Sequence, residues 1–565
     1  MNVRTLVVAL ATVAAWMGGP AAQAPPATGQ VTIEVDAARP RGPMTPMWAW
    51  FGYDEPNYTY MEDGRKLLSE LAALSPVPVY VRAHNLLTSG DGTPGLKWGS
   101  TNAYTEDEQG RPRYDWTIVD RVMDTYVQRK MKPLVEIGFM PEALSSKPHP
   151  YKHDWKPGVP YNRIYTGWTY PPKDYDKWRD LVSEWVRHSI SRYGKAEVES
   201  WYWEVWNEPD IGYWSGTPEE FRKLYDYAAD GVRRVLPTAR VGGPHTTGPN
   251  GPRAQQLLRD FLEHCLRGTN YATGKTGSPL DFVAFHAKGA PRVVEGHVRM
   301  GISNQLRAIS NGFQIVSSFP ELKATPIIIG ESDPEGCAAC SMATNPENAY
   351  RNGTMYSSYT AAQLARTYEL ADLHGVNLLG SVTWAFEFED QPYFAGFRDL
   401  ASNGIDKPVL NVFRMLGMMR GERLTVTSSS AAGIEAIRDN GVRGHPDVNA
   451  LATRNGRNLA ILLWNYHDDD LPAAPAQVQI AVGNATNGQP TLTHYRIDGE
   501  RSNSYAAWQK MGSPAAPTQV QQRALESAGQ LQQLEAPKRV RVADGRVTLT
   551  VQLPRQGVSL LTLAY

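Results

Sequence analysis

The sequence predicts an α/β fold, a (β/α)8 TIM barrel with an accessory C-terminal β-sandwich domain. Three observations carry that prediction. Eight short apolar runs alternate with amphipathic segments between residues 47 and 424, and eight parallel strands is the number that closes a barrel. Across residues 425–565 the runs become short and often alternating, with turn residues between them, as in a β-sandwich. The first strand is followed by FGYDEPNY and not by a glycine-rich phosphate loop, which argues against an open doubly wound sheet.

The strands run MWAWFGY (47–53), PVYVRAH (78–84), PLVEIGF (133–139), WYWEVWN (201–207), ARVGGP (239–244), DFVAFHA (281–287), PIIIGE (326–331) and LLGSVTWAF (378–386). Most are rich in β-branched and aromatic residues, as buried parallel strands are. Helices are expected between them. In residues 115–130, Ile118, Val119, Val122, Met123, Tyr126 and Val127 fall on one face at helical spacing. Thr217-Pro218-Glu219-Glu220 reads as an N-cap, a proline at the first helical position and a capping-box acid. Long loops at 141–173 and 332–353 follow strands, so both are expected to wall a pocket on one barrel face. In the sandwich, NLAILLWNY (458–466), AQVQIAV (476–482), RVTLTVQL (546–553) and VSLLTLAY (558–565) are the strand candidates. VTIEVD (31–36) lies outside the barrel count, so residues 25–46 are expected to join that sheet.

Composition narrows the partners. Lys and Arg total 57 against 58 Asp and Glu, a balance that gives no field to attract nucleic acid or an anionic membrane. The 16 Trp, 27 Tyr and 13 Phe fall partly in loops, where aromatic faces suit flat apolar ligand surfaces such as sugar rings. Residues 1–24 read as a signal peptide, with Arg4, an apolar stretch from Leu6 to Met17 and small residues through Ala24. Export to the periplasm or medium is therefore expected, with no membrane association after cleavage. Cys337 and Cys340 form a C-A-A-C pair without the further ligands that zinc requires, so a loop disulfide is the leading expectation. Cys265 reads as a buried small hydrophobe.

Two acids stand out. Glu208 follows the fourth strand at Asn207-Glu208-Pro209, amid Trp201, Trp203, Trp206 and Trp214. At the C-terminal lip of a barrel strand, such a carboxyl should be poorly solvated and hold its proton, which suits a general acid. Glu331 ends the seventh strand in a matching setting, and the fourth and seventh positions face each other across a barrel mouth. Cleaving a sugar acetal needs two such acids. Glu136, Glu142, Glu335, Glu387 and Glu389 are competitors at or near strand ends. A retaining or an inverting route follows from the carboxyl separation, which the sequence leaves open.

WEVWNEPD with Tyr213-Trp214, YVRAH, EIGFMPEAL, DFVAFHAKG and LAILLWNY together resemble glycoside hydrolase family 39, a clan A family of retaining β-xylosidases and α-L-iduronidases. The resemblance spans nearly the whole mature chain. It implies Glu208 as acid/base, Glu331 as nucleophile and Asn207 as a hydrogen-bond partner of the sugar 2-hydroxyl. His84, Phe139, Tyr213, His286, Trp384 and Glu389 would line the glycone subsite. Two departures stand out: the nucleophile lies in G-E-S where the family often has T-E-W, and Lys288 stands where an aromatic is common. A lysine there would stabilise the nucleophile's charge or meet an acidic sugar. Neither metal nor cofactor is implied. The expected substrates are xylo-oligosaccharides, with arabinosidase and uronic-acid-removing activities as rivals. A carbohydrate-binding protein without catalysis is the rival from another class, and a structural periplasmic protein a second.

Overall fold

The computed structural model describes residues 29–565 except Ser75; the expected signal peptide lies outside the described residues. Eight strand positions form the barrel: Trp50–Tyr53, Tyr80–Ala83, Lys132–Ile137, Tyr202–Val205, Arg240–Thr246, Phe282–Lys288, Ile327–Asp333 and a divided eighth. Each pairs in parallel with its sequence neighbours. The eighth splits into Leu378–Ser381, which pairs with the seventh strand, and Thr383–Trp384, which pairs with the first. That division closes the barrel. The first four strands are shorter than the apolar runs that predicted them, whereas the fifth, sixth and seventh are as long as theirs or longer and run on past the predicted ends.

Helices cover the barrel as the periodicity requires. Thr117–Gln128 lies inside the predicted 115–130 segment. Pro218–Arg233 starts with the full capping box, in which Thr217 accepts from the Glu220 N–H and Glu220 from the Thr217 N–H. In the fourth strand the side chains alternate. Trp203 packs outward on Trp185 of the helix Tyr175–Tyr193, while Tyr202 meets Tyr80 edge-to-face and Glu204 meets Arg82 inside the barrel.

The second layer is a ten-stranded sheet that curls over its own core. Val31–Pro43 belongs to it, antiparallel to Glu422–Ser428 and parallel to Ala476–Gly483. Ile33, Val478, Ile480, Leu549 and Leu561 fill the space between its inner faces. The sheet is fused to the barrel, since Leu462, Trp464 and Tyr466 belong to the barrel's own hydrophobic core. At this seam Arg366, on the helix Thr354–His374, donates to buried Asp447 at 2.8 Å. Cys337 and Cys340 are joined in a disulfide, and Cys265 is a buried free thiol. Among the described residues no helix is long and apolar enough to cross a membrane.

Because Asp447 is 1% exposed, removing its cation leaves a buried charge short of a partner, which typically costs about 3 kcal/mol. Arg366→Met should therefore lower stability by about 3 kcal/mol in urea unfolding. A change under about 0.5 kcal/mol, the size of an ordinary surface substitution, would show that this ion pair does not hold the seam.

Candidate active site

The barrel floor is closed by Tyr80 and Tyr202, with Arg240 over the Tyr202 ring, and in a layer above it Arg82 of the second strand points inward and is fully buried. A guanidinium there must be satisfied on every side. Its Nε donates to Glu204 at 2.5 Å, and Nη2 to Glu136 and to Asn207 Oδ1 at 2.9 and 3.0 Å. Nη1 reaches Glu331 at 3.1 Å. Glu136 and Glu204 are paired neighbours on the third and fourth strands, so the parallel register itself brings the carboxylates to the arginine. Glu331 is thereby fixed from below, and Asn207 is turned so that its NH2 is left for the cavity it lines.

Glu331 receives three further cationic or polar contacts. Lys288 Nζ lies 2.7 Å from Oε2, His84 Nε2 3.3 Å from Oε1, and His286 Nδ1 3.7 Å from Oε1. Burial opposes its ionisation, but Lys288 above all, and His84 with it, outweigh burial and hold the carboxyl well below its usual 4.5. His84 itself is raised to about 9: burial opposes its charge, but Glu136, at 2.5 Å, prevails. Lys288 also donates to Asp333 at 2.8 Å.

Glu208 is in the opposite state. Burial, and next the charge of Glu331, raise its carboxyl to about 7. It stands on a strained backbone, with φ +41° at Glu208 and +72° at Trp206. Such values persist only where surrounding contacts enforce them, and here the Glu208 N–H is tied to the His245 carbonyl at 2.9 Å. Its Oε1 is 2.9 Å from His286 Nδ1. Ligand atoms of Glu208, His286 and Glu331 all lie within 4.8 Å of one another. Those three side chains form the only such cluster that could grip a metal among the described residues. Lys288 and the His84 imidazolium already occupy Glu331 and oppose a second cation there.

Above the two acids opens a cavity of about 610 Å³. The first long loop supplies Trp155, Pro160, Tyr161 and Tyr165, and the disulfide loop supplies Cys337, Cys340 and Asn345. Tyr213 is held by Tyr161, hydroxyl to hydroxyl at 2.9 Å.

Of the residues singled out in the sequence, His84, Asn207, Glu208, Tyr213, Lys288 and Glu331 line this cavity. His286 touches Glu208 from beneath. Phe139 and Trp384, each 1% exposed, pack behind His84 at ring distances of 5.6 and 4.4 Å, so they shape the wall through it. Glu389 is elsewhere: it accepts the Asp63 N–H at 3.2 Å, in the first turn of helix Glu62–Ala73, where an acid suits the helix dipole. The tryptophan environment expected for Glu208 is also different. Trp203 faces the helices, as strand alternation demands, and the direct neighbours of Glu208 are His286 and the aromatic cavity wall.

Sequence reasoning missed Arg82, Glu204, His245 and the Asp54–Lys97 ion pair on the cavity rim. An arginine inside an apolar strand was a readable signal, because it demands inward carboxylates at the same level of neighbouring strands. His245, on the fifth strand, had no such signature.

The sequence profile of Glycosyl hydrolases family 39 matches residues 31–548. A β-xylosidase of Caldicellulosiruptor saccharolyticus is 27% identical over 437 residues, 75% of this chain and 78% of that protein. An α-L-iduronidase of Mus musculus is 27% identical over 561 residues, 92% and 79% of the two chains. Two solved structures share the fold. A bacterial orthologue of human α-L-iduronidase superposes with a TM-score of 0.73 at 20% identity, covering 95% of this chain and 84% of the other. A monomeric β-xylosidase from Caulobacter crescentus CB15 gives 0.71 at 23% identity, covering 94% and 99%. With that profile spanning both the barrel and the curled sheet, the chain belongs to glycosyl hydrolases family 39.

Proposed function

We propose that this glycosyl hydrolase is a retaining exo-acting enzyme in which Glu331 is the nucleophile and Glu208 the acid/base. One observation carries the reading: two carboxyl groups within reach of one sugar ring, one held ionised and the other held protonated. One oxygen of each lies within 4.8 Å of the other, a close approach that suits the roughly 5–5.5 Å of retaining pairs better than the roughly 6.5–9.5 Å that an inverting water needs. Glu331 attacks the anomeric carbon while Glu208 gives its proton to the departing glycosidic oxygen, and the C–O bond breaks. Esterification removes the charge of Glu331, and with it the main electrostatic support for a protonated Glu208. Glu208, now a carboxylate, takes a proton from water as that water attacks the anomeric carbon and releases Glu331. Asn207 and His84 meet the ring hydroxyls, and the loop-walled cavity favours release from chain ends.

For the glycone, we favour a uronic acid. The relatives are named for xylose and for iduronic acid, and Lys288 is the residue of this site that bears on the choice. Its ammonium stands at the cavity wall, 15% exposed, beside the nucleophile. A uronic acid presents a carboxylate on C5 for such a cation, whereas xylose presents nothing there. The second reading is a β-xylosidase acting on xylo-oligosaccharides, favoured by the two carboxylates, Glu331 and Asp333, that already satisfy Lys288. Export fits the first 24 residues and a disulfide in a cavity loop.

Glu208→Ala and Glu331→Ala should each cut turnover at least a thousandfold without changing the circular dichroism spectrum. Azide should restore part of the Glu208→Ala rate on an aryl glycoside with a good leaving group. Near-normal hydrolysis by either variant removes that residue from the chemistry. The alkaline limb of kcat/KM should fall near pH 7, because the first step requires protonated Glu208. The acidic limb should lie below pH 4.5, where Glu331 would gain a proton. A panel of aryl α-L-iduronide, β-D-glucuronide, β-D-xyloside and α-L-arabinoside decides the glycone. Lys288→Met should reduce the uronide-to-xyloside selectivity about tenfold or more, the effect of losing one charge-assisted hydrogen bond. Unchanged selectivity would return the preference to xylose.

A further inference from the structure

Behind Glu208 stands a row of buried groups that the two-carboxylate reaction does not use. Glu204 Oε2 is in ion-pair contact with His245 Nε2. His245 Nδ1 lies 3.4 Å from His286 Nε2, and His286 Nδ1 lies 2.9 Å from Glu208 Oε1. Glu204, His245 and His286 are each 0% exposed, and Glu204 Oε2 and His245 Nε2 have no hydrogen-bond partner outside this row, so their polar atoms face one another.

Hydrogen accounting along this row has one solution. The Arg82 guanidinium outweighs the burial of Glu204 and holds it below the ordinary carboxylate range, so it accepts and does not donate. A nitrogen lone pair facing an ionised carboxylate oxygen at contact distance is strongly repelled, so in the resting enzyme His245 Nε2 carries a hydrogen. Burial pushes the two imidazoles down to about 4 and about 3, so each carries a single hydrogen at neutral pH. His245 Nδ1 is then a bare acceptor, and His286 must donate to it from Nε2. That leaves His286 Nδ1 bare as well. Its hydrogen bond to Glu208 exists only while Glu208 supplies the proton.

We propose that Glu204, His245 and His286 form a proton-ordering relay that ends on Glu208 with an acceptor nitrogen and so fixes this carboxyl as a hydrogen-bond donor. The inference rests on Glu208 being the acid/base. In the resting enzyme the relay favours the acid form. After the proton has gone to the leaving group, the carboxylate of Glu208 faces a lone pair on His286, which strengthens it as the base that next deprotonates water. His245 and His286 are positioning residues here. The other charges bearing on Glu208 are Glu331, Lys288, His84, Arg82 and Asp210, and none of them hydrogen-bonds to it.

A second observation points to the same row. Gly330 was a departure in the sequence, and the His245 ring explains it. A Cβ at position 330 would stand 2.1 Å from His245 Nδ1 and 3.1 Å from His286 Cδ2. The glycine before the nucleophile is the space in which the two rings meet.

The test is the pH dependence of kcat/KM in three variants. His245→Gly removes the acceptor and suits the backbone, because φ is +53° there and glycine adopts that region without strain. It frees His286 to place its hydrogen on Nδ1 and to stabilise ionised Glu208. The alkaline limb should move down by about one pH unit, the effect of one donor to a carboxylate, with the acidic limb unmoved. Gly330→Ala, which adds no ionisable group, should shift the same limb the same way. Glu208→Ala should abolish the limb. A limb that persists in Glu208→Ala overturns the acid/base assignment and the relay with it. A limb lost in Glu208→Ala but unmoved in both other variants overturns the relay alone. Neutron diffraction on the wild-type enzyme reads the same point without a variant. Deuterium on Nε2 of both rings and on Glu208 is the expected result, and deuterium on His286 Nδ1 contradicts it.

Discussion

One buried cation organises the catalytic face of this barrel. Arg82 has no water to solvate it, so it must collect acceptors, and the four it collects come from the third, fourth and seventh strands and from the residue before Glu208. Three separate stretches of chain are thus held to the second strand at one point. An uncompensated guanidinium in a barrel core is prohibitive, so the carboxylates cannot drift without a large penalty. The geometry of the two proposed catalytic acids is inherited from this constraint, since Glu331 is bound to Arg82 directly and Glu208 follows Asn207 in the chain.

The same cluster explains why two glutamates in similar strand-end settings behave differently. Both are deeply placed, and burial pushes both toward the protonated form. Glu331 has Lys288, His84 and Arg82 against it, and these cations prevail. Glu208 has a neutral imidazole at 2.9 Å and the charge of Glu331 across the cavity. Asymmetry of partners, not of burial, separates the acid from the nucleophile.

Much of this was legible in the sequence, for definite physical reasons. The eight barrel strands announced themselves because parallel strands buried on both faces must be apolar throughout. The two acids were visible because each interrupts such a run at its end. The capping box at Thr217 was readable because its hydrogen bonds are local. What remained hidden depends on register between distant strands. The pairing of Glu136 beside Glu204, which gathers around Arg82, is a matter of which residues stand level across a sheet. The position of Glu389 depended on the path of a loop, and the loop carries it to a helix start. Trp201 and Trp203 were read as neighbours of Glu208 from proximity in the chain, whereas alternation along a strand turns Trp203 outward to a helix.

The central claim, that Glu331 forms a covalent bond with the sugar while Glu208 handles protons, is tested most directly by trapping. A 2-deoxy-2-fluoro glycosyl fluoride of the accepted glycone slows both steps, and its good leaving group lets the first proceed. Mass spectrometry of the intact protein should show one added glycosyl unit, and the digested protein should carry it on the peptide containing Glu331. A label on any other residue, or steady turnover to product of inverted configuration without an adduct, would contradict the account.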